Sequence, residues 1–251
     1  MGVDTATATR WVERWAHQQQ RYAIDRLERF EVITDLVEQV TQGRPAPLVL
    51  DLGSGPGCLA ARIAERLPAA EVVAVDADPL LLALGSLHYG TTLRFAEAVI
   101  GAPGWLDLLA LDRPVDAVVS ATALHYLSAE TLRRVYRELA GLLRPGGILV
   151  NGDHIGPDSA RISELASAVG RRYAERNASP SPEDWESWWS GAAADPELAP
   201  LLSDRGQEGH PRSEENGLTL TGHLSLLRDA GFEHVGTVWQ VGPSRVLAAV
   251  R

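Results

Sequence analysis

Lysine is absent from this chain of 251 residues: all 23 basic residues are arginine, against 33 acidic ones, for a net charge of −10. So acidic a protein repels phosphate backbones, and no basic cluster offsets it, so no nucleic-acid partner is expected. Cysteine occurs once, as Cys58, which excludes an internal disulfide and any cysteine-rich zinc site; no metal site is expected. No apolar run approaches the ~18 residues of a membrane span, and MGVDTATATRWVERW carries no apolar signal segment. The expectation is a cytoplasmic protein with no membrane partner. With 45% hydrophobic and 22% charged residues the chain can bury a core. Its length suits one sizeable domain with room for a cap or an insertion.

The pattern of apolar residues organises the chain. Residues 10 to 42 read as helix, with Leu27, Phe30, Ile33, Val37 and Val40 forming one stripe. The run is long for a single globular helix, so a break is expected near residues 22 to 26, and a stop at Gly43 ahead of Pro45 and Pro47. From Leu48 short strands and helices alternate. Strands are expected at 48–52, 71–76, 91–96, 115–120 and 148–151, with Asp78-Pro79 opening one helix and Arg144-Pro-Gly-Gly closing another. Such alternation means right-handed crossovers and a parallel sheet covered on both faces.

Residues 156 to 218 interrupt the rhythm with a helical stretch near 159–176, a Pro-Ser break at 179–182, a tryptophan cluster and a polar approach to His210-Pro211. The alternation then returns as a helix at 221–230 and strands at 234–241 and 244–250. Only Gly242-Pro243 separates those two strands, so they pair antiparallel. The expected divisions are a helical cap at 1–45, a core at 46–155, an inserted lid at 156–218 and the end of the core at 219–251.

The most specific motif is Asp51-Leu-Gly53-Ser54-Gly55-Pro-Gly57, directly after a strand and before a helix. Glycines let the backbone approach a ligand, and a helix start offers free N–H groups to an anion. A glycine triplet by itself is also compatible with a plain tight turn. The dinucleotide fingerprint would need a glycine at 58, where Cys58 stands, so an oxidoreductase is disfavoured.

Together with that loop, several stretches resemble the Rossmann-like, class I S-adenosylmethionine-dependent methyltransferases. They are VLDLGSGPG, the acid Asp76 ending EVVAVD, Ala96-Glu97-Ala98, VDAVVSATALHYL and LLRPGGILV. The resemblance covers residues 48 to 153 and returns at 231 to 251. It implies a doubly wound α/β sheet of seven mostly parallel strands, the last antiparallel, with S-adenosylmethionine as cofactor. It further implies that Gly53, Ser54, Gly55 and Gly57 cradle the cofactor's carboxylate and that Asp51 orders the loop and the methionine amine. Asp76, beside Ala77, would bind the ribose diol; Glu97, beside Ala98, would reach the adenine amine, although the commoner residue there is Asp. Ser120 would sit beside the methionine moiety.

Methyl transfer is an in-line displacement that asks mainly for alignment and dryness. A hydroxyl or carbon acceptor also needs a base. Two of the seven histidines follow strands that point at the ligand: His125, and His154 beside Asp153, which could hold one imidazole tautomer. His154 with Asp153 is the first candidate base and His125 the second; a helix-capping pair and a loop support are the plain alternatives. Trp185 and Trp189, four apart within the insertion, could wall a substrate cavity together with Trp15, or simply glue the insertion to the core. Tyr22 could close over the cofactor from the N-terminal helix.

The expected function is methyl transfer to a small molecule, with oxygen, nitrogen and carbon acceptors all open and a homodimer possible. No Asn-Pro-Pro-Tyr motif follows the fourth strand, which argues against nucleobase or glutamine amine methylation. The alternatives are a fold member that binds the cofactor without transfer, and an enzyme using the sulfonium for cyclisation or rearrangement.

Overall fold

The computed structural model describes residues 3–23, 25–177, 183–204 and 216–251. The Pro-Ser break at 179–182 and the His210-Pro211 pair lie outside the described residues.

Two helices open the chain. Asp4 caps α1 (Thr5–Tyr22) by accepting the Thr7 N–H at 2.7 Å. After a break at Ala23 and Asp25, α2 runs over Arg26–Thr41. The core then alternates β1 (Leu48–Leu52), α3 (Cys58–Arg66), β2 (Glu71–Asp76), α4 (Pro79–Tyr89), β3 (Arg94–Glu97), β4 (Val115–Ala121), α5 (Ala129–Leu142) and β5 (Leu143–His154). The inserted helices are α6 (Ala160–Asn177), α7 (Trp185–Ala194) and α8 (Ala199–Asp204). The chain closes with α9 (Leu220–Asp229), β6 (His234–Val241) and β7 (Ser244–Val250).

The strands form one seven-stranded sheet in the order β3-β2-β1-β4-β5-β7-β6. β7 runs antiparallel to both neighbours, and the remaining pairs are parallel. Strands buried on both faces explain the continuous apolar runs: all five residues of β1 are buried. Phe30, Ile33 and Val37 of α2 pack with Leu59 and Ile63 of α3 on one face. Leu132, Tyr136 and Leu139 of α5 pack with Leu226 and Leu227 of α9 on the other.

Two strands depart from the expectation. β3 starts at Arg94 rather than residue 91, because Gly90–Thr92 first wind into a 3-10 turn. β5 is longer than 148–151 and takes in the Arg144-Pro-Gly-Gly stretch expected to close a helix. The buried Asp116 draws that stretch into the sheet. Its carboxylate accepts from Arg144 Nε at 2.6 Å and from the Leu48 N–H at 2.9 Å, while Arg144 Nη2 donates to the Val40 carbonyl. The Gly146 N–H meets the carbonyl of Arg251, tying the two chain segments together.

The insertion attaches through tryptophan. Trp188 of α7 is wholly buried, edge-on to Trp11 at 5.3 Å and to Trp15 at 5.0 Å between ring centroids. Leu80, Leu81 and Leu84 of α4 complete this third core beneath α1. No helix among the described residues is long and apolar enough to cross a membrane. Removing a fully buried indole costs about 3 to 5 kcal/mol. Trp188→Ala should therefore lower the unfolding free energy by an amount in that range, read as a lower denaturant midpoint at unchanged slope if α7 is part of the cooperative unit.

Candidate functional site

The carboxyl ends of β1, β2, β4 and β5 meet at one edge of the sheet, where open α/β folds receive ligands. Between β1 and α3 the glycine loop bends through left-handed backbone at Gly53, Gly55 and Gly57. Gly53 is tight as well as twisted, and Gly55 lies in ordinary contact with an indole. A Cβ on Gly53 would lie 2.2 Å from the Ala123 methyl, and one on Gly55 would meet Trp15 Nε1 at 3.4 Å. The N–H groups of Gly53 and Ser54 are held by the Val75 carbonyl, 2.8 and 3.0 Å away, so β2 fixes the loop's first turn.

Asp76 ends β2 and faces this loop. One carboxylate oxygen accepts from the Gly55 N–H at 2.7 Å, the other from the Asp78 N–H at 2.9 Å. Asp78, not Asp76, caps α4, accepting from Leu80 and Leu81. Burial raises the Asp76 pKa against the lowering pull of those N–H donors. Ala98 is buried with its N–H on the Asp76 carbonyl, and Glu97, directly across from Asp76 in the β2–β3 register, is exposed. Asp51 lies beneath the loop, fully buried, accepting from the Ala60 N–H at 3.1 Å; burial pushes its pKa up to about 7. Arg26, entering from the start of α2, pulls in the opposite direction.

The expected N–H cradle is already engaged, Gly53 and Ser54 on Val75, Gly55 on Asp76 and Gly57 on Ser54. The fit to S-adenosylmethionine therefore lies in a left-handed loop that a ligand can approach closely, with the Asp76 carboxylate beside it and the buried Asp51 below. Ser120 differs from the others. Its hydroxyl is wholly buried and donates to the Leu52 carbonyl at 2.7 Å, so it holds β4 to β1.

The candidate bases gather at the ends of β4 and β5, in a different pairing from the expected one. Asp153 Oδ1 meets His125 Nδ1 at 2.8 Å and accepts the backbone N–H of His154 at the same distance. It therefore orients His125, whereas the His154 side chain, one residue on along β5, points to the opposite face of the sheet. That face carries Arg29, whose guanidinium donates to the Gly152 carbonyl and pairs with Asp25. Although His154 is exposed, surrounding protein and the nearby Arg29 charge hold its pKa below the usual value. His125, Asp153, His154, Asn216, Thr219 and His223 line a cavity of about 150 Å³. A larger one, about 620 Å³, opens at the opposite end of the sheet near Pro47 and Ala70, remote from the loop.

The aromatic candidates also change places. Trp15, expected to touch substrate, lies against the glycine loop and stacks at a tilt on Trp185, 5.3 Å between centroids. Tyr22, expected at the cofactor, is half exposed, and its hydroxyl accepts the Trp185 N–H at 2.9 Å. Trp185 and Trp189 lie 5.7 Å apart on α7, both packed with Trp15. Sequence reading passed over several residues here. Thr122 holds φ +53° just after β4, an uncommon conformation for a β-branched residue, and Gly152 admits the stem of Arg29. Buried amides at Gln18 and Asn151 have no hydrogen-bond partner among the described residues. Only an uncompensated polar residue in a buried helix or strand position could have signalled these last two.

The raised Asp51 pKa has a measurable sign. Its contribution to stability is fully present below the ordinary carboxylate pKa and is lost as pH rises through about 7. Asp51→Asn keeps an acceptor for Ala60 without the charge. Thermal unfolding of the ligand-free variant should exceed wild type at pH 8 and converge with it near pH 4.

A methyltransferase-domain family model matches residues 49–147. An uncharacterized methyltransferase of Mycobacterium tuberculosis is 42% identical over 106 residues, 40% of this chain and 47% of the relative. A trans-aconitate 2-methyltransferase of Streptomyces coelicolor is 32% identical over 181 residues, covering 68% of this chain and 54% of its own. The chain thus spans about half the length of these curated relatives. Among solved structures, the magnesium protoporphyrin IX methyltransferase of Synechocystis with bound S-adenosylhomocysteine superposes with a TM-score of 0.57 at 17% identity, over 96% of this chain and 94% of that one. Residues 49–147 match a methyltransferase domain, the match falls on the glycine loop and its acids, and the fold is the one shared by class I S-adenosylmethionine-dependent methyltransferases.

Proposed function

We propose that the protein transfers the methyl group of S-adenosylmethionine to a small molecule in the cleft above β1, β4 and β5. The reading is carried by Asp76, whose carboxylate is fixed beside Gly55 at the edge of a loop too tight for side chains. Bound there, the cofactor supplies an electrophilic methyl carbon on a sulfonium. The chain's own part is to align the acceptor and keep water away. Residues 1–45 and 156–218 are the covers in this reading, and the packing of Trp15 on both the loop and α7 supports it.

His125 is the proposed base for an acceptor that carries a proton, with Asp153 as its positioning residue. An ionised carboxylate can only accept, so Nδ1 carries the hydrogen and Nε2 keeps the lone pair. His154 is the second candidate, kept neutral by its lowered pKa. Trans-aconitate, for which some relatives are named, is the first compound to try. The buried Arg29 guanidinium, whose Nε is ion-paired with Asp25 and whose Nη2 has no hydrogen-bond partner among the described residues, suits an anionic substrate at the β5 end.

Incubation with methyl-labelled S-adenosylmethionine, trans-aconitate and a panel of small acids, phenols and amines should give a labelled product detected by mass spectrometry. Cofactor consumed without any methylated product would instead favour cyclisation or rearrangement. Binding without consumption would favour a regulatory protein.

Asp76→Ala removes charge-assisted hydrogen bonds worth about 1.5 to 3 kcal/mol each. Titration calorimetry with S-adenosylhomocysteine should show affinity falling at least about tenfold. On a hydroxyl or carbon acceptor, His125→Ala should slow turnover by roughly 10²- to 10⁴-fold. Asp153→Asn should cost less, and cofactor affinity should hold in both. With an ionised carboxylate acceptor the His125 variant should keep near-normal turnover, and full activity on a phenol would pass the role to His154.

A further inference from the structure

One face of α1 carries Trp11, Trp15, Gln18 and Tyr22 at spacings of four, three and four. Three of these side chains have evident partners. Trp11 Nε1 donates to Asp195 at 2.9 Å, Trp15 lies on Gly55, and the Tyr22 hydroxyl takes the Trp185 N–H. Gln18 has none among the described residues. It is 0% exposed, and neither its amide oxygen nor its amide nitrogen meets a hydrogen-bond partner there.

That arrangement is costly. A buried amide without partners gives up its hydration and gets nothing in return, and an apolar residue of the same length would fill the space without that loss. The amide offers two N–H donors and a carbonyl acceptor, so it matches a group that both accepts and donates. Its place narrows the choice. Gln18 stands one helical turn beyond Trp15, the residue that touches the glycine loop, and the chain then descends to Arg26, close enough to Asp51 to act on its charge. The ribose acid Asp76 lies on the β2 side of the same loop. A ligand with its diol at Asp76 therefore has its other end free to extend toward β1, β4 and α1.

We infer that Gln18 receives the amino-acid end of the cofactor, its amide nitrogen donating to the carboxylate and its amide oxygen accepting from the ammonium. The inference rests on the cofactor reading given above. It makes the cap a part of the binding site: ligand and helix each satisfy polar groups that the other leaves bare. Tight packing of α1 on α7 would then couple the cofactor to the insertion through Trp15 and Trp185.

Gln18→Met keeps the length of the side chain and removes its polarity; Gln18→Leu serves if the first variant folds poorly. Two ligands are titrated calorimetrically into wild type and variant: S-adenosylhomocysteine, and 5′-methylthioadenosine, which lacks the amino-acid group. The expected result is a loss of about tenfold or more for S-adenosylhomocysteine, conforming to one to two charge-assisted bonds, with unchanged affinity for 5′-methylthioadenosine. Ligand-free thermal stability should be equal or higher, since the orphaned amide is gone. Unchanged affinity for S-adenosylhomocysteine overturns the inference, as does an equal loss for both ligands, which would make Gln18 a support of the loop. If wild type binds neither ligand, the cofactor reading itself falls, an outcome distinct from a failure confined to the variant.

Discussion

At residue 53 the chain turns through φ +70° with Ala123 so close that an added Cβ would come within 2.2 Å of its methyl. The ends of β1, β2 and β4 are joined by this approach, since the same turn is held by the Val75 carbonyl on its other side. The constraint propagates outward. With the loop pinned, the Gly55 N–H can face Asp76, Gly57 can start α3, and the Trp15 indole of α1 rests against Gly55. Pro56 continues the pattern, its carbonyl so near Gly85 that α4 could not carry a side chain there. The loop's first turn and the seat of α4 are thus set by the absence of carbon atoms at Gly53 and Gly85.

The opposite end of the sheet is organised by charge. Asp116, buried at the start of β4, gathers the Leu48 N–H and the guanidinium groups of Arg44 and Arg144, so two segments distant in sequence share one carboxylate. A buried acid stripped of such partners is strongly penalised, which explains why the hydrogen-bond geometry around it is so complete. At the ligand end the same accounting is left open. Among the described residues Asp51 has a single N–H donor, with a raised pKa, and Gln18 and Asn151 have no hydrogen-bond partner. The fold satisfies its polar groups where they are structural and leaves them unsatisfied around the cleft.

Much of this was legible because the signals are local. β1, β2, β6 and β7 fall on the expected residues, as apolar runs bounded by glycine, proline or aspartate define them without help from tertiary contacts. Asp78-Pro79 caps α4 as its chemistry demands. What escaped depends on partners far away in sequence. The Pro-Gly-Gly of β5 looked like a helix stop and became strand because Asp116 anchors Arg144. Asp153 appeared to belong to its neighbour His154, yet alternation along β5 sends adjacent side chains to opposite faces and gives the carboxylate to His125, 28 residues away. Gln18 sits in a run of three glutamines, and nothing in that run marks which one is buried. The glycine loop could be read from composition; the side chains that complete the cleft could not, because their meaning lies in which groups are missing around them.

Five of the seven tryptophans, Trp11, Trp15, Trp185, Trp188 and Trp189, crowd the junction of α1 and α7. Trp105 and Trp239 stand apart, each donating its indole N–H to a glutamate. The near-ultraviolet spectrum of the protein is therefore dominated by one spot. Indoles 5 Å apart and tilted at different angles exchange excitation and couple as chromophores, giving that junction an optical signature separate from the sheet. Because Trp15 touches the glycine loop, the protein carries a built-in reporter for the packing of α1 on that loop, readable by emission or circular dichroism without attaching a label.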